Sequence, residues 1–257
     1  MDKSRRRFIQ IAGFSLAALG LRPAGALAKK NKTPNPQAFR GGRWVMVVDP
    51  AKGDENLWRA CAEACHRAHN VPDIPDKEEE IKWVWTEPYA NAFPGQHHEY
   101  VGDEIKEKPF LVLCNHCANP PCVRVCPTQA TFKRKEDGIV MMDFHRCIGC
   151  RFCMAACPYG SRSFNWSDPR RYWDKAPNPD FPTRAKGVVE KCNFCLERLA
   201  KGQPPACTEA CAEMGSDALV FGDLDNPASD VRRLLRRHYT IRRKPELGTN
   251  PGIYYIV

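Results

Sequence analysis

Eight cysteines lie between Cys114 and Cys157, in two sets whose spacing suits thiolates converging on a metal–sulfur centre. The second set, Cys147, Cys150, Cys153 and Cys157, reads C-x2-C-x2-C-x3-C-P. That is the bacterial ferredoxin run, in which three thiolates hold one [4Fe-4S] cluster and the fourth reaches its neighbour. The first set, Cys114, Cys117, Cys122 and Cys126, is a near-copy, C-x2-C-x4-C-x3-C-P. Pro127 and Pro158 turn the chain away after each fourth thiolate and bring no N–H in need of a partner. Structural zinc also takes C-x2-C pairs, but it closes with two such pairs rather than with two adjacent four-cysteine runs. A third set, Cys192, Cys195, Cys207 and Cys211, is spaced C-x2-C-x11-C-x3-C, and a fourth is reduced to Cys61 and Cys65. The segment Cys61-Ala-Glu-Ala-Cys65-His66 is one residue longer than the C-x2-C-H of c-type haem attachment, which argues against haem there.

The elements that must hold these loops are short. Residues 131–135 and 138–142 are β-prone runs around Asp137-Gly138, which predicts a hairpin between the first two cysteine loops. Further strands are expected over 44–48, 81–85, 110–113 and 219–221. A short helix is expected over 196–202 and another over 227–238, with Ser229 or Asp230 near its start. The apolar tail 252–257 either closes the core as a strand or docks on a partner. Residues 159–187, rich in Pro, Asn, Arg and aromatics, form either an ordered cover or a surface flap. His97-His98 sits in a polar loop without ligand spacing around it, a surface position. The acidic run 76–80 and the arginines Arg232, Arg233, Arg236 and Arg237 read as solvated faces.

With 257 residues the chain suffices for one large domain or two small ones, and its formal net charge is +9. Much of that excess sits in the first 28 residues, on Lys3, Arg5, Arg6, Arg7 and Arg22. The remainder is mild, and no nucleic-acid-binding motif accompanies it. Residues 1–28 read as a targeting segment: Arg5-Arg6-Arg7-Phe8 resembles a twin-arginine export signature, an apolar run follows over 9–21, and Ala26-Leu27-Ala28 is a cleavage site. That run is too short to span a bilayer comfortably. There is no Ser/His/Asp grouping, open metal position or Gly-rich nucleotide fingerprint, so a substrate-transforming site is not expected. Lys133, Arg134, Arg146 and Arg151 lie near cysteine loops, where positive charge would favour a reduced centre.

The three full cysteine sets, the degenerate one at 61–65, Cys157-Pro-Tyr-Gly160 and the closing Leu247-Gly-Thr-Asn-Pro-Gly-Ile-Tyr-Tyr255 resemble the exported four-cluster ferredoxin subunits of membrane oxidoreductases. Iron–sulfur subunits of nitrite, polysulfide, tetrathionate and dimethyl sulfoxide reductases belong to that family, and the nearest resemblance is to the periplasmic iron–sulfur subunit of a sulfur-metabolism complex. The resemblance implies an α+β fold of two ferredoxin-like cluster-binding modules with loop insertions. The inner module would span about 108–165, the outer about 43–70 plus 188–222, with a helix and tail over 223–257. It implies an electron carrier without its own substrate site, periplasmic, and attached to the membrane only through a partner. That partner would be a multi-spanning quinone-interacting subunit and, in a sulfur complex, also a periplasmic multihaem cytochrome. The alternatives are the electron-transfer subunit of a polysulfide, tetrathionate or nitrite reductase, and a free periplasmic ferredoxin.

The family's pairing of cysteine sets implies three [4Fe-4S] clusters. Centre A takes Cys114, Cys117, Cys122 and Cys157. Centre B takes Cys147, Cys150, Cys153 and Cys126. Centre C takes Cys192, Cys195, Cys207 and Cys65. Glu55 and Trp58 stand where the family has the first two cysteines of a fourth site, and neither replaces a sulfur. Cys61 and Cys211 are then left facing each other, which implies a disulfide or near-contact with Trp58 packed against it.

Overall fold

The computed structural model describes residues 38–173 and 176–257. The targeting segment expected over 1–28 lies outside the described residues. The strands are β1 (Trp44–Val48), β2 (Val84–Pro88), β3 (Pro109–Leu113), β4 (Thr131–Lys133), β5 (Val140–Met142), β6 (Ser163–Phe164), β7 (Val189–Glu190), β8 (Leu219–Asp223), β9 (Thr240–Ile241) and β10 (Ile253–Ile256). The longer helices are α1 (Glu55–His69), α2 (Ala206–Glu213) and α3 (Asp230–Arg237). This is a small mixed α and β fold.

The main sheet runs β8-β1-β10-β9. Every residue of β1 is buried, because both of its faces are covered. Period-two alternation sends Trp44, Met46 and Val48 into the principal core and Val45 and Val47 to the opposite face. There they meet Val231, Leu234 and Leu235 of α3. That helix starts where expected: the Ser229 hydroxyl accepts from the Arg232 N–H at 3.4 Å. The apolar tail does close the core, since β10 lies parallel to β1 with Met46 opposite Ile253.

Three two-stranded ribbons carry the rest. β4 and β5 form the expected hairpin, Thr131 opposite Met142. β2 pairs with β3, and β6 with β7. The strand expected over 81–85 starts later, at Val84. Ile81 and Trp83 are buried all the same, through loop packing rather than a ladder. Trp83 stacks on His69 at 4.6 Å and meets Phe181 edge-on at 5.8 Å.

α1 is amphipathic: Leu57, Trp58, Cys61, Cys65 and His69 form its buried stripe at helical spacing. The Asp54 carboxylate caps it, accepting from Leu57 N–H at 2.7 Å, and Asn70 ends it in the left-handed conformation. α1 packs against α2. Among the described residues no helix is long and apolar enough to cross a membrane.

Candidate metal centres

Each C-x2-C loop needs a backbone reversal that turns two sulfurs the same way. In the first such step of each set it is the third residue, His116 (φ 40), Gly149 (φ 69) and Phe194 (φ 55), and in the Cys150–Cys153 step it is Arg151 (φ 62), all left-handed. At Gly149 a side chain is also excluded by space, because a Cβ would stand 2.4 Å from the Gly187 carbonyl oxygen.

Cys114, Cys117, Cys122 and Cys157 line one cavity, together with Val140, Tyr159 and Arg162. Burial and the neighbouring Cys114 push the Cys117 thiol up to about 12, and the same two causes, in the same order, raise Cys157. The tail wraps this loop: Ala118 and Asn119 N–H donate to Asn250 and Thr249 carbonyls at 2.9 and 3.0 Å, and Gly252 N–H donates to Asn115 at 2.7 Å. Tyr159 and Thr249 hydroxyls share a hydrogen bond beneath it.

Cys65, Cys192, Cys195 and Cys207 are all buried. Burial raises Cys65 first, then the sulfurs of Cys195, Cys192 and Cys207, so the four stand close enough to repel as thiolates. Backbone N–H groups aim at these sulfurs, Phe194 at Cys192 (3.5 Å) and Ala206 at Cys195 (3.3 Å). His69 flanks the group, with Nδ1 2.9 Å from the Cys65 carbonyl oxygen and Nε2 2.8 Å from Glu197 Oε1. Ligand atoms of His69, Cys195 and Glu197 lie within 4.8 Å of one another. Side chains so placed around a thiolate orient it and tune it.

The third grouping is more open. Cys153 is buried, while Cys126, Cys147 and Cys150 are half-buried. Cys122, Cys147 and Cys153 share one small apolar cluster with Val140 and Val189. The helical turns Pro121–Arg124 and Phe152–Ala155 pack together, which brings the ends of the first two cysteine loops side by side. Cys126 Sγ accepts from Thr131 N–H at 3.4 Å; burial would raise this thiol, but such hydrogen bonds hold it below its usual value.

The groups are contiguous. Cys114 raises Cys192, and Cys122 raises Cys153, in each case after burial itself. Between the loops lie two buried cations that motif spacing does not reveal. Arg162 donates to Thr131 Oγ1 at 3.2 Å, and its Nη2 is buried without a hydrogen-bond partner. Burial would discharge this guanidinium, but Cys122, Cys153 and Cys114 more than offset that and hold it charged. Lys191 Nζ donates to the Val140 carbonyl and, at 2.7 Å, to that of Cys192. Beside it, His116 stacks on Phe194 at 3.7 Å and its Nδ1 accepts from Val140 N–H at 3.1 Å. The cations expected to act here each have another partner. Arg134 pairs with Asp137 and Arg146 with Asp143, Arg151 lies over Trp166 at 4.6 Å, and Lys133 donates to the Ala118 carbonyl. Only a signal of burial could have found Arg162 and Lys191.

Asn178, Phe181 and Arg184 fasten onto the C-terminal end of α1. Asn70 Nδ2 donates to the Asn178 and Phe181 carbonyls at 3.0 and 2.8 Å, and Arg184 donates to those of His69 and Asn70. Arg184 then pairs with Glu190 at 2.7 Å, both fully buried. Glu190 also accepts from Trp83 Nε1 at 2.8 Å and Asn165 Nδ2 at 2.6 Å.

Cys61 and Cys211 meet outside these groups, as free thiols with no exposure. The hydrogen bond between them comes first in setting both: Cys61, which burial also raises, keeps its proton and Cys211 is drawn down. Trp58 is fully buried one turn before Cys61 and lies where any side chain on Gly53 would stand, whereas Glu55 faces solvent.

Such converging thiols, with backbone N–H groups and a buried guanidinium among them, suit [4Fe-4S] clusters and define an iron–sulfur electron carrier. Residues 108–175 match the family described as 4Fe-4S dicluster domain. The "Hdr-like menaquinol oxidoreductase iron-sulfur subunit 1" of Archaeoglobus fulgidus is 39% identical, covering 98% of this chain and 97% of that protein. The "Menaquinone reductase, iron-sulfur cluster-binding subunit" of Nitratidesulfovibrio vulgaris is 37% identical over 83% and 88% of the two chains. The "Protein NrfC homolog" of Haemophilus influenzae is 35% identical over 98% and 94%. The chain therefore belongs to the family of iron–sulfur electron-transfer subunits of multi-subunit oxidoreductases.

Proposed function

We propose that this chain holds three [4Fe-4S] clusters, at centres A, B and C, and passes single electrons along them within a membrane-bound oxidoreductase complex. The observation that carries the reading is the contiguity of three cysteine groups: Cys122 and Cys153 share one apolar cluster, and Cys192 is raised by Cys114. Bound there, the clusters supply one-electron oxidation and reduction. The residues do the rest. Cysteine thiolates hold iron, and Arg162 and Lys191 set the field. Residues 178–184 cover the end of α1, the helix that carries Cys65, and the tail clasps the Cys114 loop. The inner module comprises about 108–165 and the outer about 43–70 plus 188–222.

The complex we infer joins this subunit to a quinone-interacting membrane partner, the chemistry that the names of the first two relatives carry. Dissimilatory sulfur metabolism, with a periplasmic multihaem cytochrome as a second partner, is the setting the overall resemblance favours. Ile148 and Phe152, 67% and 60% exposed, flank the half-buried Cys147 and Cys150, and we place a partner's contact there.

Iron and sulfide analysis of anaerobically purified protein tests the cluster count. About twelve irons per chain are expected, and Cys150→Ala should lower this to about eight, since four thiolates hold each cubane. About sixteen irons in the parent chain would refute the ligand sets. Export by the twin-arginine route predicts that replacing Arg5 and Arg6 by Lys leaves the protein in the cytoplasm, because that route reads the arginine pair rather than its charge. Cell fractionation with immunoblotting reads the outcome, and an undiminished exported pool from the double variant would exclude the route.

A further inference from the structure

α1 and α2 each present two cysteines one turn apart on the face packed against the other helix. On α1 they are Cys61 and Cys65, and on α2 they are Cys207 and Cys211. Cys65 senses Cys207, and Cys61 meets Cys211. Each helix therefore carries one residue of the Cys192 group and, four residues or about 6 Å along its axis, one member of a separate thiol pair. The space around that pair is not a vacant cluster site. Trp58 fills the turn before Cys61 and is pressed against Gly53, and Glu55 points to solvent. Two thiols alone cannot hold a cubane, which takes four.

The pair is also sealed from ordinary thiol chemistry. Disulfides form and break by attack of an incoming thiolate through a mixed disulfide, which requires access. Cys61 and Cys211 are both 0% exposed. What does reach them is the adjacent cysteine group, through Cys65 on one helix and Cys207 on the other.

We propose that Cys61 and Cys211 are a redox-active dithiol whose electrons enter and leave through centre C, giving a one-electron wire a two-electron store at its end. The inference rests on the reading that Cys65, Cys192, Cys195 and Cys207 hold a cluster. In the oxidising direction the two S–H bonds break and one S–S bond forms. A cluster bound by Cys65, Cys192, Cys195 and Cys207 would take the two electrons one after the other, so that the cluster chain is the oxidant. The two protons leave by the turn after α2, where Cys211 Sγ lies 3.4 Å from the Ser216 carbonyl and residues 212–215 are exposed. Reduction runs the same steps backwards. Bond formation requires the Cα atoms to come within about 7 Å, and Ala60, Ala64 and Ala210 beside the cysteines let the helices approach.

The test uses the full holoprotein, kept anaerobic and poised with soluble mediators at oxidising and at reducing potential. It is then denatured in iodoacetamide and mapped by peptide mass spectrometry, with iron counted on the same samples. In the oxidised sample Cys61 and Cys211 should be linked, and in the reduced sample both should be alkylated. Coulometric reduction should consume about five electrons per chain, three for the clusters and two for the disulfide, and about three in Cys61→Ser or Cys211→Ser at unchanged iron content. Two free thiols in an oxidised sample with about twelve irons would overturn the proposal while leaving the cluster reading intact, as would equal electron counts in parent and variants. About sixteen irons, falling on Cys61→Ser, would overturn it by making the pair cluster ligands, and that result would also sink the three-cluster reading.

Discussion

Replacing Glu190 by Ala should cost about 3–5 kcal/mol of stability, the usual penalty for removing one partner of a buried ion pair. The fully buried Arg184 would keep its charge and lose its counter-ion, and the Trp83 and Asn165 donors would lose their acceptor. For a chain of this size the loss should appear as a melting temperature lower by roughly 6–20 °C. Melting is followed by circular dichroism on anaerobic samples matched for iron. The double variant Arg184→Met, Glu190→Leu separates ion pairing from packing, since well-packed apolar replacements of a buried pair are often neutral. It should recover much of the loss. A Glu190→Ala chain that melts within a degree or two of the parent would show that the cover over α1 does not depend on this pair.

Arg162→Gln should lower the midpoint potentials of centres A and B by on the order of 100 mV. A cation among Cys122, Cys153 and Cys114 favours the more negative, reduced state, so its loss makes reduction harder. At roughly 7 Å and an effective dielectric of about 20, the lost interaction is about 2.4 kcal/mol per electron, hence the magnitude. Potentiometric titration followed by EPR reads the shift. Lys133→Gln, an exposed cation near the same loops, should move the potentials little. Equal shifts in the two variants would mean that burial gives Arg162 no special weight.

The cysteine loops were readable in sequence because ligand spacing is itself local geometry. Three sulfurs on one turn of chain need C-x2-C steps, and the left-handed residue in each step follows from the same requirement. The β4–β5 hairpin was readable for a similar reason, since Asp137-Gly138 sets a turn without outside help. Arg162 and Lys191 were not, because their burial depends on which loops the fold brings over them, and exposed arginines beside other cysteines carried the same formal charge. Ile81 and Trp83 misled in the opposite sense: their alternation is that of a strand, yet both are buried by loop packing, Trp83 against His69 and Phe181. α2 was hidden around Cys207 and Cys211, where cysteines draw the eye from helical spacing.

The central strand of the main sheet has a consequence for how the chain is made. β1 takes its neighbours from β8 and β10, with Met46 opposite Phe221 on one side and Ile253 on the other. At ribosomal rates of about 5–20 residues per second, roughly ten to forty seconds separate the emergence of Met46 from that of Ile253. Until β8 emerges late in that interval, Trp44-Val45-Met46-Val47-Val48 has two open edges and two apolar faces, the profile of a segment that pairs with the wrong chain. Dwell time, rather than final stability, should therefore set the yield of native protein. Slower translation or scarce holdase chaperones should send nascent chains into aggregates through this one strand.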